Sequence, residues 1–235
     1  MAFFQDDRRA REPMFNLPLS VLVLVGILAA AHAARVLSPA ALSDRILNDY
    51  ALDPAAYTFP TATLFEQIVP PFSYMLLHAN WMHLGFNSVW LLAFGAPLGR
   101  RFGWLGFYLL FILSGLAGAA CFVAVNWGQD VGAVGASGAI SGVMAAAFRM
   151  LRLGEPHPQD TTLPLAPLFS GPVLRFSAIW LALNVVSALT GIGTLGAEHA
   201  IAWEAHMGGF LAGLLLAGPF DRIFGAGMNS VRPDA

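Results

Sequence analysis

From about residue 14 to residue 220 the chain is a series of long apolar runs, separated by shorter stretches that carry its arginines, acids and prolines. A helix that crosses a bilayer needs about 20 mostly apolar residues, because the hydrocarbon is about 30 Å thick and a helix rises 1.5 Å per residue. The pattern predicts six such helices, at about 14–34, 78–98, 103–125, 136–151, 173–192 and 202–220, the fourth short for a full crossing. Residues 36–71 mix Pro, Tyr, Phe and scattered acids and read as a long, partly interfacial loop. The stretch 154–173, "GEPHPQDTTLPLAPLFSGPV", reads as a proline-rich connector. No internal repeat or heptad pattern occurs. The fold class expected is all-α: a polytopic membrane protein with a six-helix bundle at 14–222, an N-terminal tail at 1–13 and a C-terminal tail at 223–235.

Arginine placement orients the bundle. With the N-terminus inside, the inner side receives Arg8, Arg9, Arg11, Arg100, Arg101, Arg149, Arg152, Arg175, Arg222 and Arg232, and the outer side only Arg35 and Arg45. That asymmetry follows the positive-inside rule and puts both termini in the cytoplasm. Trp81, Trp104, Trp127 and Trp203 fall near span ends, where interfacial anchors belong. The first run follows three arginines and ends in small residues, so a cleavable signal peptide is its alternative; its apolar run is longer than the usual 7–15-residue core.

Composition agrees with a membrane home. Hydrophobic residues make up 57% of the 235-residue chain and charged residues 11%, against about 45–50% and 25% in soluble domains. No basic patch with interleaved aromatics occurs, so nucleic acid is not an expected partner; the lipid bilayer is. Cys121 is the single cysteine, which excludes a disulfide framework and a cysteine metal cluster.

Polar groups inside a membrane are costly and mark function. Here they gather in three places: "HANWMHLGFN" with His78, His83 and Asn87, "GASGAIS" with Ser137, and "EAHMGGFLAG" with His206. Each lies near the start of a span entered from the outer side, so all are expected in one layer just below the outer surface. Ser137 follows a glycine-rich entry from Gly128 to Gly135, and irregular backbone at membrane depth lies in protein or beside water. A helix N-terminus there offers unpaired N–H groups to an oxyanion. Gly138 and Gly142 form one small-residue ridge and Gly209 and Gly213 another, of the kind that lets two helices approach closely. Their contact would bring His206 within hydrogen-bond reach of Ser137, as a base must come to a nucleophile. Ser141, one turn deeper, is expected to bond its own backbone or a neighbouring helix.

Other chemistries are open to these residues. His78, His83 and His206 could hold a metal, as three-histidine sites do, but no carboxylate or cysteine motif supports one. A haem is a further alternative. A transporter using the polar layer as a pathway calls for more charge within the spans than is present. His32, His157 and His199 fall near span ends or in loops and carry no expected role. "GASGAIS" is neither a phosphate loop, since no lysine follows, nor a nucleophile elbow, since Ala139 stands where the second glycine belongs.

The three motifs, in this order, resemble those of the rhomboid family of intramembrane serine proteases: histidine, histidine five later and asparagine four after that; "GASG"; and "AHMGGFLAG". The resemblance covers about residues 15–220. It implies a six-helix core, a Ser–His dyad without an acid, no cofactor, and single-pass transmembrane proteins as substrates; no metal is expected from the residues, and a bacterial inner membrane is the expected home. It also implies Ser137 as nucleophile and His206 as general base and then acid. The His83 and Asn87 side chains, with the Ser137 backbone N–H, would hold the oxyanion, and His78 would support that site or the water path. An inactive rhomboid-like binding protein is disfavoured by the retention of both Ser137 and His206. Two departures stand out. Ser141 occupies a position where many relatives carry an aromatic residue beneath the histidine, and the Trp–Arg pair common in the relatives' first outer loop is missing.

Overall fold

The structure, a computed structural model, describes residues 17–58, 62–150, 164–190 and 202–225. These are helical almost throughout: α1 (Leu19–Val36), α2 (Ala40–Tyr50), α3 (Leu64–Ile68), α4 (Pro70–Ser73), α5 (Trp81–Val125), α6 (Ser137–Met150), α7 (Gly171–Thr190) and α8 (Trp203–Phe224). Four of them, α1, α5, α7 and α8, are long and apolar enough to cross a membrane. Many large apolar side chains on their outer faces, such as Leu22, Val89, Leu183 and Leu215, are exposed.

At 45 residues, α5 would extend about 67 Å if straight, twice the hydrocarbon thickness. Gly103 prevents that. Its φ of 68° and ψ of −177° are non-helical, and a positive φ is a conformation that glycine alone adopts at little cost. The chain folds back there: a Cβ on Gly95 would lie 3.1 Å from the Phe107 ring, although twelve residues of continuous helix would separate them by about 18 Å. The segments 81–102 and 104–125 are therefore antiparallel halves of a helical hairpin. Arg101 Nε donates to Asp221 Oδ1 at 2.5 Å and ties the turn to the end of α8.

α6 is the central element. Its fourteen residues span only about 21 Å, and all but Ser137 and Phe148 are buried. A helix apolar on every side must be enclosed by others, and α5 and α8 enclose this one. Near its C-terminal end the buried Arg149 donates to Ala166 O at 3.1 Å and Leu214 O at 2.8 Å, so the guanidinium is capped by carbonyls.

Three expectations change. The second span begins at Trp81, not at 78, because the Asn80 side chain caps the helix by accepting from His83 N at 2.8 Å; His78 lies outside the helix. The first begins at Leu19 after Pro18, since the residue before a proline avoids helical geometry; residues 14–16 lie outside the described residues. The stretch 36–71 is not a plain loop but carries α2, α3 and α4, too short and too polar to register as apolar runs. The first half of the connector, 154–163, lies outside the described residues, as do His157 and His199.

That outer segment is held by polar contacts. Arg35, at the end of α1, donates to Ser43 Oγ at 3.0 Å and to the His78 carbonyl at 2.8 Å. Tyr57 OH donates to Gln67 O at 2.8 Å, and Ser73 Oγ to Tyr50 O at 2.8 Å. A capping box pairs Thr63 with Glu66 at the start of α3, and the Thr63 N–H and hydroxyl hold the Glu66 carboxyl below its usual range.

Candidate active site

The glycine ridges determine the site. A Cβ on Gly209 would collide with the Gly138 carbonyl oxygen, and one on Gly213 with the Gly142 carbonyl oxygen. Backbone thus meets backbone along α6 and α8, the approach that small residues permit. Gly208 plays the same part between α8 and α5, where a Cβ would strike Ala117 O. At the N-terminal end of this contact, Ser137 Oγ lies 2.7 Å from His206 Nε2. A hydroxyl and an imidazole at that distance are within the reach that a nucleophile and its base require.

Ser137 is the first residue of α6, and Ile140 N donates to Ala136 O at 2.9 Å. The Ser137, Gly138 and Ala139 N–H groups therefore precede the first intrahelical bond and have no acceptor within the helix. The entry loop is fastened from outside: Leu52 and Ala133 exchange backbone hydrogen bonds at 3.0 and 2.9 Å, and Gly135 N donates to Tyr74 O at 2.9 Å. Tyr74 is buried, and its hydroxyl donates to Gly115 O at 2.7 Å.

Gly135 has φ +129°, and a Cβ there would lie 2.7 Å from His83 Cε1 and 3.7 Å from Asn87 Nδ2. Only glycine lets the loop run this close to the two side chains, which brings both beside the N-terminus of α6. Asn87 is 4% exposed and its Nδ2 has no hydrogen-bond partner. A buried donor without a partner costs free energy, and such donors gather where charge develops during a reaction.

His78 stands one layer back. Its ring packs edge-on against His83, with centroids 5.2 Å apart, and faces His32 at 6.3 Å. His32, given no role by its place near a span end, is 1% exposed and packs edge-on against Trp81 at 4.6 Å. Ser141 Oγ donates to Ser137 O at 2.8 Å, its own backbone, as expected. Among the described residues, no three His, Cys, Asp or Glu side chains group as metal ligands.

The polar-layer pattern does not single out Asn184. Its Oδ1 lies 2.8 Å from His206 Nδ1, and its Nδ2 donates to Trp180 O at 2.8 Å. The available signal is a lone amide within the fifth apolar run, the same cue that marks Asn87.

The chain carrying this serine–histidine pair has relatives among known proteins. The family model described as "Rhomboid domain" matches residues 66–221. The chain belongs to the rhomboid family. It is 29% identical over 153 residues to "Rhomboid-type serine protease 2" of Emericella nidulans, covering 65% of this chain and 26% of that protein. It is 27% identical over 160 residues to "Rhomboid protease AarA" of Providencia stuartii, covering 61% and 52%. It is 29% identical over 147 residues to "Rhomboid protease GlpG" of Yersinia pestis, covering 62% and 45%. The match thus spans about a quarter to a half of these relatives' lengths. The rhomboid model includes all three polar motifs and begins at Glu66, within α3. The chain is an integral membrane protein.

Proposed function

We propose that this rhomboid is an intramembrane serine endopeptidase that cleaves single-pass transmembrane proteins. The observation that carries the reading is the 2.7 Å contact between Ser137 Oγ and His206 Nε2, at a helix start close to His83 and to the buried, unpartnered Asn87 amide. Ser137 Oγ attacks the scissile carbonyl carbon while His206 Nε2 takes the hydroxyl proton. The carbonyl oxygen becomes an oxyanion that accepts from the Ser137 N–H and from the His83 and Asn87 side chains, with His78 backing His83. His206 then gives its proton to the departing amine, leaving an acyl-enzyme on Ser137. A water loses a proton to His206 and attacks the ester, and His206 returns that proton to Ser137.

In this reading α1, the two halves of α5, α6, α7 and α8 are six spans forming the domain 14–222, with tails 1–13 and 223–235. Both termini lie on the arginine-rich cytoplasmic side of a bacterial inner membrane. The polar layer then opens just below the outer leaflet, and the shortness of α6 lets water reach Ser137 without crossing the bilayer.

Two measurements test this. A fluorophosphonate incubated with the purified protein should label one residue, Ser137, as read by peptide mapping; labelling elsewhere, or none, counts against the mechanism. Asn87→Ala should lower kcat by about 10²–10³-fold, the usual cost of one oxyanion donor, with a much smaller change in KM. A change confined to KM would remove Asn87 from the oxyanion site.

A further inference from the structure

We infer that Asn184 is the positioning residue of His206, fixing its tautomer and ring plane from the neighbouring helix α7; this rests on the protease reading above. The hydrogen bonds determine one another in sequence. The Trp180 carbonyl can only accept, so the Asn184 amide nitrogen, 2.8 Å away, is its donor. The amide oxygen therefore faces His206, where it lies 2.8 Å from Nδ1. An amide oxygen can only accept, so Nδ1 carries the proton and Nε2 is bare. The bare nitrogen is the one 2.7 Å from Ser137 Oγ. One chain of bonds, from the Trp180 carbonyl to the Ser137 hydroxyl, leaves His206 in the tautomer a general base requires.

Among the described residues, no other group performs this task. Ser141, the residue one turn below Ser137, spends its hydroxyl on Ser137 O. The Trp180 ring is tilted 6.5 Å from His206 and stacks instead on Phe210 at 4.3 Å. Among the described residues, the titratable group whose charge bears on the imidazole is His83 on α5, while Glu204, two residues before His206 on α8, has its Oε1 3.3 Å from Asn126 Nδ2. A carboxylate in place of the amide would have to be buried as a charge within the membrane, at high cost. An amide supplies the acceptor dipole without one. Trp180 and Val173 are the buried residues of α7, so Trp180 anchors the turn that presents Asn184.

The test uses the full-length protein in lipid vesicles with a cleavable transmembrane reporter, comparing wild type, Asn184→Leu and Asn184→Asp, with Ser137→Ala as background. Leucine keeps the volume and removes the acceptor. It should lower kcat by about 10²-fold, the effect of a misplaced catalytic group, with KM nearly unchanged and an equal loss in the rate of fluorophosphonate labelling. The acid limb of its pH–kcat profile should move to lower pH, because the imidazolium has lost its acceptor. Aspartate should recover activity relative to leucine and move the acid limb to higher pH, because an adjacent anion favours the imidazolium. Wild-type kcat in Asn184→Leu would overturn the inference, as would losses in both variants with the acid limb unmoved, which a purely structural residue produces. Should Asn184→Leu fail to fold, the direction of the limb in Asn184→Asp decides. If wild type neither cleaves nor labels, the protease reading itself falls; if it does both and the Asn184 variants match it, only this inference falls.

Discussion

Replacing Ser137 with alanine is expected to reduce cleavage of a transmembrane reporter to background, while the protein still inserts and keeps its melting temperature. Removing the nucleophile of a serine hydrolase costs on the order of 10⁶ in kcat, because the remaining machinery has nothing to attack with. The fold should tolerate the change. Ser137 lies at the first position of α6 and is partly exposed, and its hydroxyl bonds only the His206 ring among the contacts described. The backbone carbonyl that receives the Ser141 hydroxyl is retained. His206→Ala should lose activity to a similar degree, and the double variant should lose no more than either single one, since the two groups act as a unit. Cleavage that survives in Ser137→Ala would reject the pair as the catalytic centre, whatever its geometry.

The second large effect is expected at a position with no reactive atom. Gly209→Val places branched carbons where the Gly138 carbonyl already stands, with Ser114 O 3.2 Å from the first added carbon. These obstacles are backbone, which cannot rotate away as a flexible side chain would. α8 must move off α6, and overpacking of this kind costs about 1–3 kcal/mol. The catalytic penalty should lie at the top of that range and appear without unfolding. His206 lies three residues before Gly209 on the same face, and separating the helices by about 1 Å takes its ring out of reach of Ser137, worth about 10² in rate. Cleavage and thermal unfolding measured together would show activity lost at temperatures where the protein is still folded. Gly26→Ala is the control: nothing lies within 4 Å of the added carbon, so activity should persist, with stability unchanged or raised by about 0.5–1 kcal/mol from helix propensity. Full activity in Gly209→Val would mean that the close approach of α6 and α8 does not set the distance between the two groups.

Hydropathy and spacing carried much of this molecule. The apolar runs predict every long helix to within a few residues at the ends the structure describes, because exclusion from water acts on each run independently of its neighbours. The small-residue ridges likewise foretell that α6 and α8 touch, because a helix presents every fourth residue on one face wherever it ends up. Expecting Ser137 and His206 within reach needed no more than that face and a common depth.

What required the tertiary structure is whatever depends on two elements meeting at a particular angle. Asn184 reads in the chain as one amide in an apolar run; that it faces Nδ1 of His206 depends on how α7 is rotated against α8. His32 reads as a span-end histidine, yet the path of the outer segment buries it against Trp81 and His78. Arg35 holds that segment through the His78 carbonyl 43 residues away, a contact no local pattern encodes. The sequence alone determined which segments form apolar helices and which polar residues lie toward their starts, since hydropathy is a property of each segment by itself. Only the assembled bundle decided which of those polar groups touch, because a hydrogen bond is directional and tolerates an error of a few tenths of an ångström.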